Sequence, residues 1–339
     1  MPPVTIFMNE QIDQPMGARG KGPVPPESKF SAGPASRNPI RLGVALLKAI
    51  RPKQATKNLF IFAALIFANK FTDSALTIRA VLAFLLFTGI TGSVYLLNDL
   101  LDVEQDRLHP KKCQRPIASG ELSVPLAIAA MLALGIGSLI ASFWLRPAFG
   151  IAAAAYLLLQ IAYCYSLKHL VLLDVFAIAI GFVLRTVAGG LVIGVGISHW
   201  LLLCSLQLAL FLGFGKRRQE LILLGSSAGK HRAILDEYGL PFLDQMINVV
   251  AGVTIVCYSV YSIESETARA HPHLWVTVPI VIYSVCRYLY LVYQKGWGGA
   301  PDEVLLKDRL LQIAIAVWFA TVLLLFAFDK PGVALDWLK

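Results

Sequence analysis

Residues 77–106 read TIRAVLAFLLFTGITGSVYLLNDLLDVEQD. The first 21 residues of this stretch, 77–97, carry a single charge, Arg79, close to their start. An apolar helix needs roughly 17 to 25 residues to cross a bilayer core of about 30 Å. The stretch therefore predicts a membrane-spanning helix that ends in a cluster of acidic residues.

Similar apolar windows recur along the chain, and nine of them are predicted as spans. The windows cover 58–72, 77–97, 123–143, 148–165, 171–193, 200–215, 241–263, 273–293 and 308–327. The first is the weakest, because only about a dozen apolar residues separate Asn58 from Lys70. We predict an all-α, multi-pass membrane protein with about nine transmembrane helices.

The composition supports this fold class and excludes several others. Of the 339 residues, 57% are hydrophobic and 15% are charged, whereas roughly a quarter are charged in soluble proteins. The net charge of +9 is explained by basic cytoplasmic loops, so we predict no nucleic-acid partner. Four of the five cysteines lie in or at the end of apolar runs. The chain is thus neither a disulfide-rich secreted protein nor an ordinary cytosolic enzyme.

The termini and the basic residues predict the domain organisation and the orientation. Residues 1–40 are rich in proline and glycine and are predicted to form a disordered cytoplasmic tail, followed by a basic amphipathic interfacial segment, 41–57. We predict that residues 58–328 form the nine-helix catalytic domain and that residues 329–339 form a short C-terminal tail. The loops on one side hold 13 Lys and Arg against 6 on the other. We therefore expect the N-terminus and the acid cluster to face the cytoplasm of a cell membrane.

The acid cluster after the second span is the strongest functional signal. Asn98, Asp99, Asp102 and Asp106 form an N-D-x-x-D-x-x-x-D pattern, in which the three aspartates fall along one face of a helix. Such oxygen donors suit Mg²⁺ that is shared with substrate phosphates. The alternative is a solvated helix end, but acids that emerge directly from a span tend to be functional.

Basic and polar residues in the later loops suggest a phosphorylated substrate. The candidates are Arg115 beside the acid cluster, Lys57 before it, Tyr165, Lys168 and Asp174 in a second loop, and Lys216, Arg217 and Tyr238 in a third. Arg185 lies in the middle of a predicted span. A buried arginine there requires a partner or an anionic ligand.

The motif Asn98 to Asp106, with Arg115-Pro116 and the loop Tyr165-Ser166-x-Lys168 before Asp174, resembles the UbiA superfamily of intramembrane prenyltransferases. The resemblance covers about residues 51–328. It implies an all-helical bundle around a central cavity that opens to the cytoplasm. It also implies that a diphosphate is bound through Mg²⁺ and two aspartate-rich motifs.

The second motif departs from the common prenyltransferase pattern, because Asp174 is followed by Val175, Phe176, Ala177 and Ile178 without a further acid. With RPKQATKN at 51–58 and GKRRQEL at 215–221, this looks like a branch in which phosphoribosyl diphosphate is the donor. There a polyprenyl phosphate is the acceptor, and the product enters cell-wall arabinan synthesis.

That resemblance implies a role for each candidate residue. Asn98, Asp99, Asp102 and Asp106 would hold Mg²⁺, with Asp102, Arg115 and Asp174 as the catalytic residues. The substrates would be bound by Lys57, Lys168, Lys216, Arg217, Tyr165 and Tyr238. The alternatives are a UbiA-type prenyltransferase with an aromatic or glycerol-phosphate acceptor, and a transporter or lipid-binding protein without chemistry. Contact with membrane lipid is expected in each case, and homo-oligomer formation is left open.

Overall fold

The computed structural model describes residues 39–109, 112–224, 233–297, 304 and 307–328, and these residues contain helices and no strand. The α-helices are α1 (Pro39–Ile50), α2 (Phe62–Phe67), α3 (Ser74–Leu101), α4 (Val103–Leu108), α5 (Val124–Leu145), α6 (Pro147–Tyr165), α7 (Leu173–Ile193), α8 (His199–Leu224), α9 (Leu240–Glu264), α10 (Glu266–Ala270), α11 (Val278–Gln294) and α12 (Arg309–Phe328). Short 3₁₀ helices cover Pro52–Ile61, Lys112–Gln114, Leu167–His169, Ala233–Glu237 and Leu274–Thr277.

Eight helices in the described part of the chain are long and apolar enough to cross a membrane. They are α3, α5 to α9, α12, and α11 together with the 3₁₀ turn that precedes it. The prediction of an all-helical membrane bundle is confirmed, and the predicted count of about nine spans is close to the observed one. The difference lies in the window 58–72, which forms no long helix. Its residues belong to the 3₁₀ helix Pro52–Ile61, to α2 and to the turn after α2.

The segment 52–67 nevertheless crosses the bundle antiparallel to α3. Arg51 contacts Asp99 near the end of α3, Asn58 reaches Thr91 farther back, and Phe62 packs on Phe84. Ten residues of 3₁₀ helix and six of α-helix extend for about 29 Å, close to the thickness of a bilayer core. A stretched 3₁₀ segment thus replaces the first predicted span.

A close approach between this segment and α7 requires a glycine. A Cβ atom at Gly189 would lie 2.0 Å from the carbonyl oxygen of Ile61, a distance that no side chain permits. Ile61 and the neighbouring Leu65 are buried against α3 and α7 in an apolar cluster. Gly189 thereby lets the 3₁₀ segment lie directly against α7.

Helix ends follow the local sequence. Asp73 caps α3, because its carboxylate accepts hydrogen bonds from the backbone amides of Ala75 at 2.9 Å and Leu76 at 3.1 Å. Proline occupies the first turn of α5, α6, α9 and α11, where no backbone donor is lost. Gly194 ends α7 with φ of +76°, the left-handed conformation of a helix C-cap.

The predicted interfacial segment 41–57 is divided between α1 and the start of the 3₁₀ segment. α1 buries Ala45 and Ala49 against Leu96 of α3, while Val44 and Leu47 on its other side are exposed. One face of α1 thus packs on the bundle and the opposite face is apolar, as in a helix that lies on a lipid surface. The predicted tails 1–40 and 329–339 lie outside the described residues, except for Pro39 and Ile40 in α1.

An ion pair on the same side of the bundle as Asp99 links α11 to α12. Arg287 donates to the two carboxylate oxygens of Asp308 at 3.2 and 2.7 Å, and the backbone amide of Leu311 donates to one of them at 2.8 Å. These hydrogen bonds, above all those from Arg287, lower the pKa of Asp308.

We therefore expect the stability that Asp308 contributes to depend on pH in the acidic range. Because its pKa is lowered in the folded state, this contribution is complete above the ordinary aspartate pKa of about 4. It is lost as the pH falls through the folded-state pKa. The unfolding temperature of the wild type in detergent should exceed that of Asp308→Asn at neutral pH, and the gap should narrow below about pH 4. A gap that stays constant down to about pH 3 would contradict this role.

Candidate active site

A cavity of ≈ 780 Å³ lies among α3, α6, α7 and α8, at the end of the bundle where α3 meets α4. Its polar lining residues are Arg51, Lys57, Thr91, Tyr95, Asn98, Asp102, Gln105, Asp106, His109, Lys112, Arg115, Tyr156, Gln160, Tyr163, Lys168, His169, Arg185, Lys216 and Glu220. Seven of them are Lys or Arg and three are Asp or Glu. The cavity therefore has an excess of positive charge and is suited to an anionic ligand.

Two of the acids at this end of the cavity are bridged by one arginine. Arg115 donates through the same nitrogen, Nη1, to Asp99 at 3.1 Å and to Asp106 at 2.6 Å. Asp99 also receives a hydrogen bond of 2.5 Å from Arg51, whose guanidinium lies 5.0 Å from the ring of Tyr95. Arg51 is a site residue that the sequence analysis assigned only to the interfacial segment. It reaches the acids because the 3₁₀ segment begins beside the end of α3.

Asp102 faces the cavity more openly than its neighbours. Asn98 donates to one of its carboxylate oxygens at 3.1 Å, and Lys168 donates to the other at 2.8 Å. The side chain of Asp102 is 24% exposed, whereas those of Asp99 and Asp106 are each 2% exposed. Since Asn98 and Asp102 are four residues apart at the end of α3, both point to the same face. The Asp102–Lys168 ion pair thus joins the first loop to the second.

The donor set fits a divalent cation that is shared with a ligand. Asp102 and Asp106 line the cavity, and the second oxygen of Asp99 is buried and has no hydrogen-bond partner among the described residues. Among the described residues no group of three or more His, Cys, Asp or Glu is arranged to hold a metal ion. A cation such as Mg²⁺, which usually takes one or two carboxylates together with phosphate oxygens and water, matches these residues.

The acid of the second motif lies in a separate buried cluster. Asp174 is fully buried and is not among the residues that line the cavity. One of its oxygens lies 2.9 Å from Nε of Arg217, and the other accepts a hydrogen bond of 2.7 Å from Tyr238. Burial raises the pKa of Tyr238, and the hydrogen bond to Asp174 raises it further, so the phenol stays protonated as the donor.

The remaining predicted residues divide between the cavity and the surface. Lys57 and Lys216 line the cavity. Glu220 lies 4.0 Å from Lys216 and is hydrogen-bonded to the buried Arg217, so it connects the second cluster to the cavity wall. Tyr165, at the end of α6, is 61% exposed and does not line the cavity.

Arg185, which lines the inner end of the cavity, and its hydrogen-bond partner Asn58 were not predicted as site residues. Arg185 donates through Nε to Asn58 at 2.8 Å and through Nη2 to Tyr156 at 2.7 Å. The signal was present in the sequence, because Arg185 and Asn58 are polar residues inside apolar windows. Their pairing across 127 residues was not predictable, since it depends on the 3₁₀ segment lying against α7.

Comparison with known proteins places the chain in a family. Residues 58–218 match the model of the UbiA prenyltransferase family. The chain is 34% identical to a decaprenyl-phosphate phosphoribosyltransferase of Mycolicibacterium smegmatis over 307 residues, 87% of this chain and 95% of that one. It is 33% identical to a protein of the same name from Corynebacterium glutamicum over 288 residues, 83% of this chain and 86% of the relative.

A solved structure shares the fold. A UbiA homolog from Archaeoglobus fulgidus, bound to DMAPP and Mg²⁺, superposes with a TM-score of 0.65 at 19% identity, covering 84% of this chain and 99% of that chain. The relatives align along nearly their whole length, and the fold agrees with theirs. This multi-pass membrane protein therefore belongs to the UbiA prenyltransferase family and is a transferase similar to the decaprenyl-phosphate phosphoribosyltransferases.

Proposed function

We propose that the protein transfers 5-phosphoribose from phosphoribosyl diphosphate to a polyprenyl phosphate, in a Mg²⁺-dependent reaction that releases pyrophosphate. The observation that carries the proposal is the charge of the cavity, in which seven Lys and Arg face three acids. Both proposed substrates are phosphorylated, and together they bring more negative charge than a prenyl diphosphate with a neutral aromatic acceptor. The names of the relatives, decaprenyl-phosphate phosphoribosyltransferases, support a polyprenyl phosphate as the acceptor and phosphoribose as the transferred group.

We assign the diphosphate to the end of the cavity where the acids lie, here called the mouth. Asp102 and Asp106 would hold Mg²⁺ together with Asn98 and Asp99, and the bound ion would neutralise charge on the departing diphosphate. Arg115 and Lys168 already touch these acids at 2.6 and 2.8 Å. Both cations are therefore positioned to contact diphosphate oxygens beside the carboxylates.

The chemistry needs few groups from the protein. An oxygen of the acceptor phosphate attacks C1 of the ribose, and the bond between C1 and the diphosphate oxygen breaks. The leaving pyrophosphate carries the bonding electrons away, so negative charge grows on it while the sugar becomes positive. Lys57, Lys168 and Lys216 lie along the cavity and would stabilise that charge. The acceptor is already anionic, so no general base is required.

We further propose that the mouth faces the cytoplasm. On the side of the mouth, the described basic residues in the loops and at the ends of the spans include Arg107, Lys112, Arg115, Lys168, Lys216, Arg217, Arg218, Lys295, Lys307 and Arg309. On the opposite side they include Lys70, Arg79, Arg146 and Arg269. This asymmetry supports a cytoplasmic mouth, where a water-soluble sugar phosphate and a lipid can meet at the membrane surface.

The prenyltransferase alternative is less consistent with the site. Asp174 would have to bind a second metal ion, yet it is buried against Arg217 and Tyr238 and does not line the cavity. The inner end of the cavity, where an apolar prenyl chain would lie, holds Arg185. A cation in that position favours a charged ligand over a hydrocarbon chain.

The test is a transfer assay with radiolabelled donor. Purified protein in detergent, supplied with Mg²⁺, labelled phosphoribosyl diphosphate and a polyprenyl phosphate, should move label into the organic phase. Removal of Mg²⁺ with a chelator should abolish the transfer, and readdition should restore it. Label that stays in the aqueous phase, together with product formed from a prenyl diphosphate and an aromatic acid, would overturn the proposal in favour of the prenyltransferase.

The same assay in sealed vesicles tests the orientation. The donor is too polar to cross a bilayer, so inside-out vesicles should form product from added donor and right-side-out vesicles should not. The opposite pattern would place the mouth on the external face.

A further inference from the structure

The inner end of the cavity contains a cation, Arg185, that has no counterion among the residues the structure describes. Arg185 is 5% exposed and belongs to α7, eleven residues beyond Asp174, which places it about 16 Å deeper along the helix. Its hydrogen-bond partners, Asn58 and Tyr156, are both neutral. In the described part of the chain no carboxylate forms an ion pair with it. A buried charge at this depth is costly unless an anion compensates it.

The surrounding side chains hold the guanidinium in one orientation. Asn58 donates its amide hydrogens to the hydroxyls of Thr88 at 3.1 Å and Thr91 at 3.2 Å, which leaves its carbonyl oxygen for Arg185. The rings of Tyr156 and Phe182 lie 4.6 and 5.0 Å from the guanidinium carbon. Arg185 is thus pre-organised for binding, because little side-chain freedom remains to be lost.

One nitrogen of Arg185 is left for a ligand. Nε and Nη2 are used by Asn58 and Tyr156, and Nη1 forms no hydrogen bond to any residue that the structure describes. A Cβ atom at Gly181 would lie 3.5 Å from Nη1 and 3.1 Å from the amide nitrogen of Gln160. Both Arg185 and Gln160 line the cavity. The absence of a side chain at Gly181 therefore leaves space beside Nη1 of Arg185.

We propose that Arg185, held by Asn58 and Tyr156, forms a phosphomonoester-binding subsite at the inner end of the cavity, distinct from the diphosphate-binding mouth. This inference rests on the proposed function. A diphosphate with Mg²⁺ matches the acids of the mouth, whereas one arginine with a neutral amide beside it matches a single phosphate group.

The donor carries a diphosphate on C1 and a phosphomonoester on C5, so one molecule can occupy both places. The subsite would then orient C1 toward the acceptor. The polyprenyl phosphate is also a phosphomonoester, and the experiment distinguishes the two sources.

The experiment compares three probes by calorimetric titration of the purified protein in detergent. The probes are ribose 5-phosphate, farnesyl phosphate, and inorganic pyrophosphate with Mg²⁺. Arg185→Met should weaken ribose 5-phosphate binding by about 10- to 100-fold, the range for a hydrogen bond to a charged group. Pyrophosphate binding should stay within about twofold of the wild type.

A matched variant at the mouth should show the reverse pattern. Lys168→Met removes a cation beside Asp102, so it should weaken pyrophosphate binding and leave ribose 5-phosphate binding nearly unchanged. Tyr156→Phe keeps the charge and the ring and removes only the hydroxyl that fixes Nη2. It should weaken ribose 5-phosphate binding several-fold in a well-folded protein, which keeps the test decisive if Arg185→Met unfolds.

Selective loss of ribose 5-phosphate binding identifies the donor as the source of the phosphate, and selective loss of farnesyl phosphate binding identifies the acceptor. Equal loss of all three probes, or no loss of either monoester, overturns the subsite. A wild type that binds ribose 5-phosphate through Arg185 but transfers no phosphoribose would contradict the proposed function and leave the subsite intact.

Discussion

Asp102→Asn should lower the turnover number by about 10³-fold while the protein stays folded. Asp102 lines the cavity, and both of its oxygens are held, one by Asn98 and one by Lys168. Asparagine keeps the size of the side chain but removes the negative charge that Mg²⁺ requires. Turnover in the phosphoribosyl transfer assay and Mn²⁺ binding followed by electron paramagnetic resonance should be lost together.

The matched control for this variant is Glu104→Gln in the adjacent turn of α4. Glu104 pairs with Arg107 at 2.9 Å, its side chain is 80% exposed, and it does not line the cavity. Turnover of this variant should stay within about twofold of the wild type, as expected for a surface ion pair. If Asp102→Asn retained both turnover and metal binding, the acid cluster would not be the metal site.

Asp174→Asn should lower the free energy of unfolding by about 3 kcal/mol. The change leaves the guanidinium of Arg217, which is 2% exposed, without its buried carboxylate. Glu220 still contacts Arg217, which keeps the cost at the lower end of the range for broken buried pairs. The shift can be measured by denaturant unfolding in detergent micelles. The Michaelis constant for the donor should change little, because Asp174 does not line the cavity.

A double variant separates this structural role from a catalytic one. Asp174→Leu combined with Arg217→Met removes both charges, so it should recover much of the stability that either single change loses. Unchanged stability of Asp174→Asn, together with a large loss of turnover, would instead show that Asp174 acts directly on a substrate.

Apolar windows and the spacing of the acids allowed much of the fold and the mouth to be predicted. Asn98, Asp102 and Asp106 are each four residues apart and do line one cavity, as helical periodicity requires. The single mispredicted span, 58–72, was the window with the fewest apolar residues. Most of the backbone before α2 is 3₁₀-helical rather than α-helical, and hydropathy does not distinguish these two helix types.

The ion-pair partners of the buried acids could not be predicted from the sequence. Asp99 is neutralised by Arg51 from 48 positions upstream, and Asp174 by Arg217 from the next helix along the chain. The basic loops contain many other Lys and Arg residues, and the sequence does not show which of them pairs with each acid. The pairing depends on how the helices pack. Long-range contacts therefore determine which acids face the cavity and which are buried.

The 3₁₀ segment that begins after Arg51 also fixes the distance between the two ends of the cavity. Arg51 touches the acids at the mouth and Asn58 orients Arg185 at the inner end, so one continuous piece of backbone sets the spacing between the two. Seven residues at about 2.0 Å each fix that spacing near 14 Å, and each residue turns the helix by about 120°. One inserted or deleted residue would swing Asn58 away from α7. For residues 52–56, which do not line the cavity, length is therefore the property that the binding site depends on.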